Sequence, residues 1–191
     1  MLPSEKQKSI ALIGARGAGK SRLSRKLGKK LARPVFSTDT QISFVADGKT
    51  VQQIVTEEGW AGFRQREYEI LQQICNMDGA IIDCGGGILV EAPLQENEPE
   101  TFSQRKAGLL KEHCIVIYLK RPMSWLLEKA EPSASRPDLG GESYEALLNR
   151  RMPWYEKSAD VILDAKHLGT KNLIPMILSD PVLADFSTAH P

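Results

Sequence analysis

The sequence lacks the features that mark membrane proteins and nucleic-acid-binding proteins. Its 191 residues contain no run of about 18 apolar residues, so no membrane span is expected. The formal net charge is only +1, so no overall field favours nucleic acid or a membrane surface. No apolar signal-peptide stretch follows Met1, and neither an internal repeat nor a second domain is visible. We therefore expect a cytoplasmic protein with neither nucleic acid nor membrane among its partners.

Cysteine is also scarce. Cys75, Cys84 and Cys114 are the three cysteines of the chain, and no two of them have the C-x-x-C spacing of a metal or redox motif. An odd number of scattered cysteines suits a reducing compartment. Each is interpreted as a small buried apolar residue, with a reactive thiol as the alternative.

What the sequence does contain is a phosphate-binding loop near its start. An apolar segment, 9–13, leads into Gly14, and Gly14, Gly19, Lys20 and Ser21 fit the spacing G-x-x-x-x-G-K-[ST]. Glycines let backbone N–H groups turn towards phosphate oxygens, and the helix that follows adds its positive end. A chance glycine turn is the alternative, but the flanking strand and helix favour a nucleoside triphosphate site. The residues expected to contact ATP in this segment are Gly14, Gly17, Ala18, Gly19, Lys20, Ser21 and Arg22.

Strand-like segments alternate with helical ones along the rest of the chain. This order predicts a parallel sheet with helices on both faces, a three-layer α/β/α fold. We expect one domain over 1–180 and a loosely attached tail over 181–191. The five expected strands are 9–13, 34–36, 80–83, 114–119 and 159–163.

Candidate ligand groups follow the second and third strands. Asp39 and Asp83 stand where strands end near the phosphate loop, which is where open α/β sheets bind ligands. Asp39 is alternatively a helix N-cap, and Asp83 alternatively only a strand end. Three consecutive glycines, Gly85, Gly86 and Gly87, bury nothing themselves. They predict a close approach by a ligand or by another part of the chain.

Three other segments have a functional and a plain interpretation. Segment 131–141 is rich in proline, serine and glycine and carries Arg136, so it is either a mobile lid or a disordered connection. Segment 91–111 is interpreted as an acidic surface loop that leads into a helix. Arg64 and Glu67, three residues apart, fit a surface ion pair on a helix.

Taken together and in order, these motifs resemble the shikimate kinase family over about residues 9–178. The matching motifs are the phosphate loop, Phe63-Arg64-x-x-Glu67, Gly85-Gly86-Gly87, Arg136-Pro137 and Arg151-x-Pro153-x-Tyr155. The resemblance implies a P-loop NTPase fold of the nucleoside-monophosphate-kinase type, with a five-stranded parallel sheet and a lid. It also implies transfer of the γ-phosphoryl of ATP, with Mg²⁺, to the 3-hydroxyl of shikimate in aromatic amino-acid biosynthesis. Members of the family are usually monomers.

The resemblance also implies roles for particular residues. Lys20, Asp39 and Arg136 match the catalytic residues: Asp39 meets the substrate hydroxyls, and Arg136 reaches the phosphates from the lid. Arg64 and Arg151, with the glycine triplet Gly85–Gly87, match the binding site for the shikimate carboxylate. A guanidinium suits that task because it donates two parallel hydrogen bonds to a carboxylate. Lys129 falls where the family often has an arginine that stacks on adenine.

This chain departs from the family pattern at the metal. The family shows Asp-x-Asp after the second strand, and here the first of these positions is Ser37. We hypothesise that Ser21 and Asp83 hold Mg²⁺ between them, directly or through water. Segment 91–111 is also longer than is usual in the family.

Two other functions remain open at this point. A related kinase for another small hydroxy acid, such as quinate or gluconate, would need the same two arginines. A catalytically weak ATP-binding regulatory module would explain Ser37 as a symptom of lost metal binding, and it would bind ATP without turnover.

Overall fold

A computed structural model describes residues 7–93, 98–129 and 142–183 of the chain. The predicted lid, including Arg136, and residues 184–191 of the predicted tail lie outside these ranges. The strands are β1 (Ser9–Ile13), β2 (Val35–Ser37), β3 (Ile81–Asp83), β4 (Val90–Glu91), β5 (Thr101–Phe102), β6 (Cys114–Lys120) and β7 (Val161–Asp164). The helices are α1 (Lys20–Leu31), α2 (Thr38–Val45), α3 (Val51–Cys75), α4 (Gln104–His113), α5 (Met123–Glu128), α6 (Tyr144–Ser158) and α7 (Thr170–Leu178).

Five of these strands form one parallel sheet in the order β2-β3-β1-β6-β7. The central strands β1, β3 and β6 are apolar runs buried almost throughout, because helices cover both faces of the sheet. Strand β7, at an edge, alternates buried and exposed residues instead. The predicted three-layer α/β/α fold with a five-stranded parallel sheet is confirmed.

The strand order opens a crevice at the carboxyl edge of the sheet. After β1 the chain crosses by α1 to β2 on one side, whereas after β3 it crosses by α4 to β6 on the other side. Right-handed crossovers in opposite directions place α1 and α4 on opposite faces. The ends of β1 and β3, which are neighbours, therefore open between two helical layers, where such sheets bind ligands.

Helix boundaries follow local signals in the sequence. Helix α1 buries Leu23, Leu27 and Leu31, the stripe expected from their spacing of four residues. Helix α2 begins at a cap made by Ser37, whose Oγ accepts a hydrogen bond from the Thr40 N–H at 3.4 Å. No helix in the described ranges is both long enough and apolar enough to span a bilayer.

Segment 91–111 leads into a helix, as expected, but it also contains a pair of short strands. Strands β4 and β5 pair antiparallel and form a short hairpin, with Val90 opposite Phe102. Helix α4 follows immediately, and its Lys106 is fully buried.

At the other end of the chain, Pro181–Leu183 forms a single 3-10 turn that buries Leu183 against the core, and the rest of the predicted tail stays a prediction.

The centre of the sheet makes a direct test of this packing. Leu12 on β1 is fully buried, so Leu12→Ala should lower the free energy of unfolding by about 3 kcal/mol through lost burial and a new cavity. Ile162 on the edge strand β7 is 48% exposed and is a matched control: Ile162→Ala should cost less than about 1 kcal/mol. Urea denaturation measures both. Equal costs would contradict the placement of β1 at the centre.

Candidate active site

A cavity of about 560 Å³ opens at the carboxyl edge of the sheet, between the phosphate loop, α2, α3, the segment after β3, and α6. Most of the predicted site residues line it. These are Gly17, Gly19, Lys20, Ser21, Arg22, Asp39, Arg64, Asp83, Gly85, Gly86, Gly87 and Arg151. Gly14 and Ala18 belong to the phosphate loop and Lys129 lies beside Gly17, but these three predicted contacts are outside this lining. Arg136 lies outside the described residues. Residues far apart in the sequence thus meet in one place.

The phosphate loop has the backbone that its glycines predict. Gly14, Gly17 and Gly19 have φ angles of 136°, 80° and 99°, which side-chain-bearing residues rarely adopt. Gly19 is the N-cap of α1, and having no side chain it cannot accept a hydrogen bond from the first N–H groups of the helix. These N–H groups therefore remain available to a ligand at the loop. Such N–H groups and the positive end of the helix suit an anion.

Lys20 lies buried inside this loop. Its Nζ donates to the carbonyl oxygens of Gly14 at 2.9 Å and Ala15 at 3.0 Å. Burial lowers the pKa of Lys20, and the nearby carboxylates of Asp83 and Asp39 act in the opposite direction. A cation held among carbonyl groups in this way gains by exchanging them for phosphate oxygens.

Asp39 faces the cavity from the first turn of α2. Glycine at position 85 lets the Asp39 carboxylate keep this place, because a Cβ there would lie 2.5 Å from Asp39 Oδ1. The Gly85 N–H also donates to Thr38 Oγ1 at 2.8 Å, which fixes the turn after β3 against α2. Partial desolvation by the surrounding protein atoms, together with the carboxylates of Glu67 and Asp83, raises the pKa of Asp39, although Lys20 and Arg64 lower it. A carboxylate with a raised pKa is a better proton acceptor than an ordinary one.

Arg64 is held by buried charges. Its Nη1 donates to Glu67 Oε2 at 3.1 Å, and the Nζ of Lys106 donates to the same oxygen at 2.7 Å. The three residues are 5%, 1% and 0% exposed, so the surface pair expected at Arg64 and Glu67 is instead a pair inside the protein. Gly87 leaves room for it, because a Cβ at that position would lie 2.5 Å from Arg64 Nη1.

Arg151 approaches the same cavity from α6. Its Nε and Nη2 donate to the two carboxylate oxygens of Glu100 at 2.6 and 2.5 Å, and its Nη1 lies 3.5 Å from the Gly86 carbonyl oxygen. The hydroxyl of Tyr155, one helical turn further on, donates to the same carbonyl at 2.5 Å. Arg64 and Arg151, hereafter the arginine pair, therefore flank the glycine triplet. Two cations around a polar cavity suit a small carboxylate ligand.

The oxygen donors for a metal are few. Asp83 at the end of β3 is paired in register with Ser37 on β2, so both side chains lie at the same edge of the sheet. The Ser37 hydroxyl accepts the capping hydrogen bond at the start of α2. Among the residues that the structure describes, no group of three or more His, Cys, Asp or Glu side chains could hold a metal. Ser21 and Asp83 nevertheless line the cavity together, and this donor set fits Mg²⁺, which keeps water and phosphate oxygens among its ligands.

Sequence reasoning missed several residues of the site. Glu100 and Lys106 lie in a segment whose polar composition gave no periodic signal, so only the hairpin and α4 reveal their position. Tyr144 donates its hydroxyl to the Arg16 carbonyl at 2.9 Å and so joins α6 to the phosphate loop. Trp60 lies beneath Arg64, with the guanidinium carbon 5.1 Å from the ring centroid.

Comparison with known proteins agrees with this geometry. The shikimate kinase family model matches residues 16–180. The shikimate kinase of Leptospira biflexa serovar Patoc is 40% identical over 171 residues, which cover 89% of this chain and 93% of that protein. That of Leptospira borgpetersenii serovar Hardjo-bovis is 38% identical over 175 residues, 90% of this chain and 97% of that one. The structure of shikimate kinase from Acinetobacter baumannii in complex with shikimate superposes with a TM-score of 0.78 at 28% identity, over 95% of this chain and 96% of that chain.

The fold and the loop at its carboxyl edge define a P-loop kinase. Within that class, the family match spans most of the chain, and the curated relatives are covered almost completely. The chain belongs to the shikimate kinase family.

The buried charges around Glu67 give a testable consequence. Glu67→Gln should lower the free energy of unfolding by about 3–5 kcal/mol, because it leaves the fully buried Lys106 without its carboxylate. Glu57→Gln breaks the exposed Lys49–Glu57 pair and should cost less than about 1 kcal/mol. Urea denaturation at neutral pH measures the free energy of unfolding of both variants. If Glu67→Gln lowered it as little as Glu57→Gln, the buried cluster of Arg64, Glu67 and Lys106 would be refuted.

Proposed function

We infer that this protein transfers the γ-phosphoryl group of ATP to the 3-hydroxyl of shikimate, giving shikimate 3-phosphate and ADP. The family, the curated relatives and the shikimate-bound structural neighbour support this function. The observation that carries it in this chain is the placement of an arginine pair and Asp39 around one cavity with the phosphate loop. A site of this kind brings a small hydroxy acid and a nucleotide together.

The phosphate loop and Lys20 would bind the nucleotide. Lys20 would leave the carbonyls of Gly14 and Ala15 for the β- and γ-phosphate oxygens, where its charge offsets the charge that builds up during transfer. Arg136 would add positive charge from the lid, as the resemblance implies. Lys129 would lie near the adenine base of ATP. Its side chain starts beside the phosphate loop, because a Cβ added at Gly17 would lie 3.3 Å from Lys129 Cβ.

The acceptor would bind between the arginine pair and Asp39. Bidentate hydrogen bonds from arginine to a carboxylate fix orientation as well as position. With the carboxylate held by Arg64 and Arg151, the ring hydroxyls would face Asp39 and the phosphate loop. Asp39 would orient the attacking hydroxyl, and its raised pKa suits it to accept that proton. The triplet would form the floor against which the ring packs.

We propose Mg²⁺ as the second cofactor beside ATP. When bound, it neutralises charge on the β- and γ-phosphates. Ser21 and Asp83 would hold it, together with the phosphates and water. Asp83 would then supply, from β3, the carboxylate that Ser37 on the neighbouring strand lacks.

We also propose that the protein works as a cytoplasmic monomer on small-molecule substrates, without nucleic acid or membrane. Cys75 Sγ and Cys114 Sγ lie 4.0 Å apart as free thiols, which suits a reducing compartment. Gel filtration combined with light scattering tests the monomer.

ADP release tests the function directly. Wild-type protein with ATP and Mg²⁺ should form ADP at about 1–100 per second when shikimate is present, within the range of kinases, and far more slowly without it. Quinate and gluconate serve as alternative acceptors. Turnover with one of those acids and not with shikimate would make the protein a related hydroxy-acid kinase. ATP binding without turnover on any acid would make it a regulatory module.

Arg64 should control affinity for the acceptor. Arg64→Ala removes charge-assisted hydrogen bonds worth about 1.5–3 kcal/mol each, so KM for shikimate should rise at least about tenfold. KM for ATP should stay within about twofold, because the nucleotide meets other residues. Arg66→Ala on the same helix is the control, since Arg66 pairs with Glu58 at the surface. Initial-rate kinetics with each substrate varied in turn measures both constants. Equal increases in the two KM values would contradict the acceptor role.

Asp83 should control the response to metal. Asp83→Asn keeps the shape and removes the charge, so the Mg²⁺ concentration for half-maximal rate should rise about tenfold. The exposed Asp78→Asn is the control. Rates are measured at fixed ATP while Mg²⁺ is varied. An unchanged Mg²⁺ dependence in the Asp83 variant would remove Asp83 from the metal site.

A further inference from the structure

The hairpin of β4 and β5 places a carboxylate against one arginine of the acceptor site. Glu100 directly precedes β5, and its two oxygens accept hydrogen bonds from Arg151 Nε and Nη2. Glu100 does not line the main cavity in the described structure. It lines a second cavity of about 440 Å³, and the arginine pair borders both cavities. The carboxylate therefore meets Arg151 from outside the acceptor site.

The shape of the guanidinium decides what this contact leaves available. Arginine has five N–H donors in a rigid plane, and two of its edges fit a carboxylate. Glu100 occupies the edge made by Nε and Nη2. The other edge, made by Nη1 and the second N–H of Nη2, has no carboxylate partner among the described residues, and its Nη1 donates only a long hydrogen bond, 3.5 Å, to the Gly86 carbonyl in the floor of the main cavity. This second edge therefore lies beside the Gly86 carbonyl, at the lining of the acceptor site.

We propose that Glu100 is a positioning residue for the acceptor carboxylate: it holds Arg151 by one edge from outside the cavity and presents the other edge to the substrate. The proposal rests on the proposed function, since it names what orients one arginine of that site. It gives the long segment after the glycine triplet a part in substrate affinity.

The base of the hairpin is fixed firmly enough for this task. Phe102, two residues after Glu100, packs on Trp154 of α6, with ring centroids 6.1 Å apart, and Lys157 Nζ lies 3.4 Å from the Phe102 ring centroid. The Ser103 N–H donates to the Leu89 carbonyl at 2.9 Å. Helix α6 also carries Arg151, so the hairpin and the arginine are fixed to the same element. Rigid support of this kind reduces the ordering that substrate binding must impose.

The surrounding charges keep Glu100 ionised. Burial raises the pKa of Glu100, but the hydrogen bonds and charges of Arg151, together with the charges of Arg150 and Arg64, outweigh it, so the pKa lies below its usual value. Arg150 Nη2 lies 3.3 Å from Glu100 Oε1, and Arg150 also pairs with a second carboxylate, that of Glu142. Arg64 has its own in Glu67. Each arginine of the pair is thus backed by a glutamate, from α3 in one case and from the hairpin in the other.

The sign of the effect separates positioning from competition. If Glu100 occupied the substrate's own place on Arg151, its removal would strengthen substrate binding. Loss of its negative charge would also make the cavity more positive and favour a carboxylate. If Glu100 instead orients Arg151, its removal weakens binding despite that change in charge.

Steady-state kinetics of Glu100→Gln tests the proposal. KM for shikimate should rise about tenfold, whereas kcat and KM for ATP should change by less than about twofold. Glu100→Asp keeps the charge on a shorter side chain and should recover part of the affinity. Glu98→Gln, a neighbouring and exposed glutamate of the same hairpin, is the matched control and should behave as wild type. An unchanged or lower KM for shikimate in Glu100→Gln would overturn the proposal.

A double-mutant cycle separates positioning from general damage. In an Arg151→Ala background, Glu100→Gln should change KM for shikimate no further, because its effect passes through Arg151. Additive effects would overturn the proposal. Near-UV circular dichroism checks that each variant is folded, and Glu100→Asp carries the cycle if the glutamine variant is not. A wild type without shikimate-dependent ADP formation would refute the proposed function, whereas an active wild type with an unaffected Glu100→Gln variant refutes this inference alone.

Discussion

The site depends on one buried carboxylate shared by two cations. Glu67 lies between Arg64 and Lys106, and all three are removed from water. None of the three is stable there alone, because an unpaired buried charge costs several kcal/mol. Together they fix Arg64 on α3 against α4 and beside Gly87. The orientation of Arg64 towards the cavity is therefore built into the folded core.

The parallel sheet supplies the second constraint. Strands β1 and β3 end side by side, so the phosphate loop and the glycine triplet meet without any long loop. The triplet lets side chains approach its backbone, since a Cβ at Gly85 or Gly87 would collide with Asp39 or Arg64. The same edge is the basis of the metal role proposed for Asp83: its position is paired in register with Ser37, so the two side chains project from neighbouring points of the sheet edge.

Much of the fold and part of the candidate site could be predicted from the sequence, and the other parts could not be, for physical reasons. Apolar periodicity and the phosphate-loop spacing predicted the sheet and one end of the site, because both are local patterns. The burial of Arg64 was not predictable, since a pair three residues apart has the same spacing inside or outside a protein. Lys106 and Glu100 escaped notice because their roles depend on contacts with Glu67 and Arg151, which lie 39 and 51 residues away along the chain. Arg136 and the lid stay predictions.

The central claim is that the arginine pair binds the carboxylate of the acceptor substrate. Titration calorimetry of the wild-type protein with shikimate and with its methyl ester tests it most directly, since the ester keeps the ring and hydroxyls but removes the negative charge. We expect the ester to bind at least about tenfold more weakly, the loss of one or more charge-assisted hydrogen bonds. Equal affinities for the acid and the ester would contradict the claim.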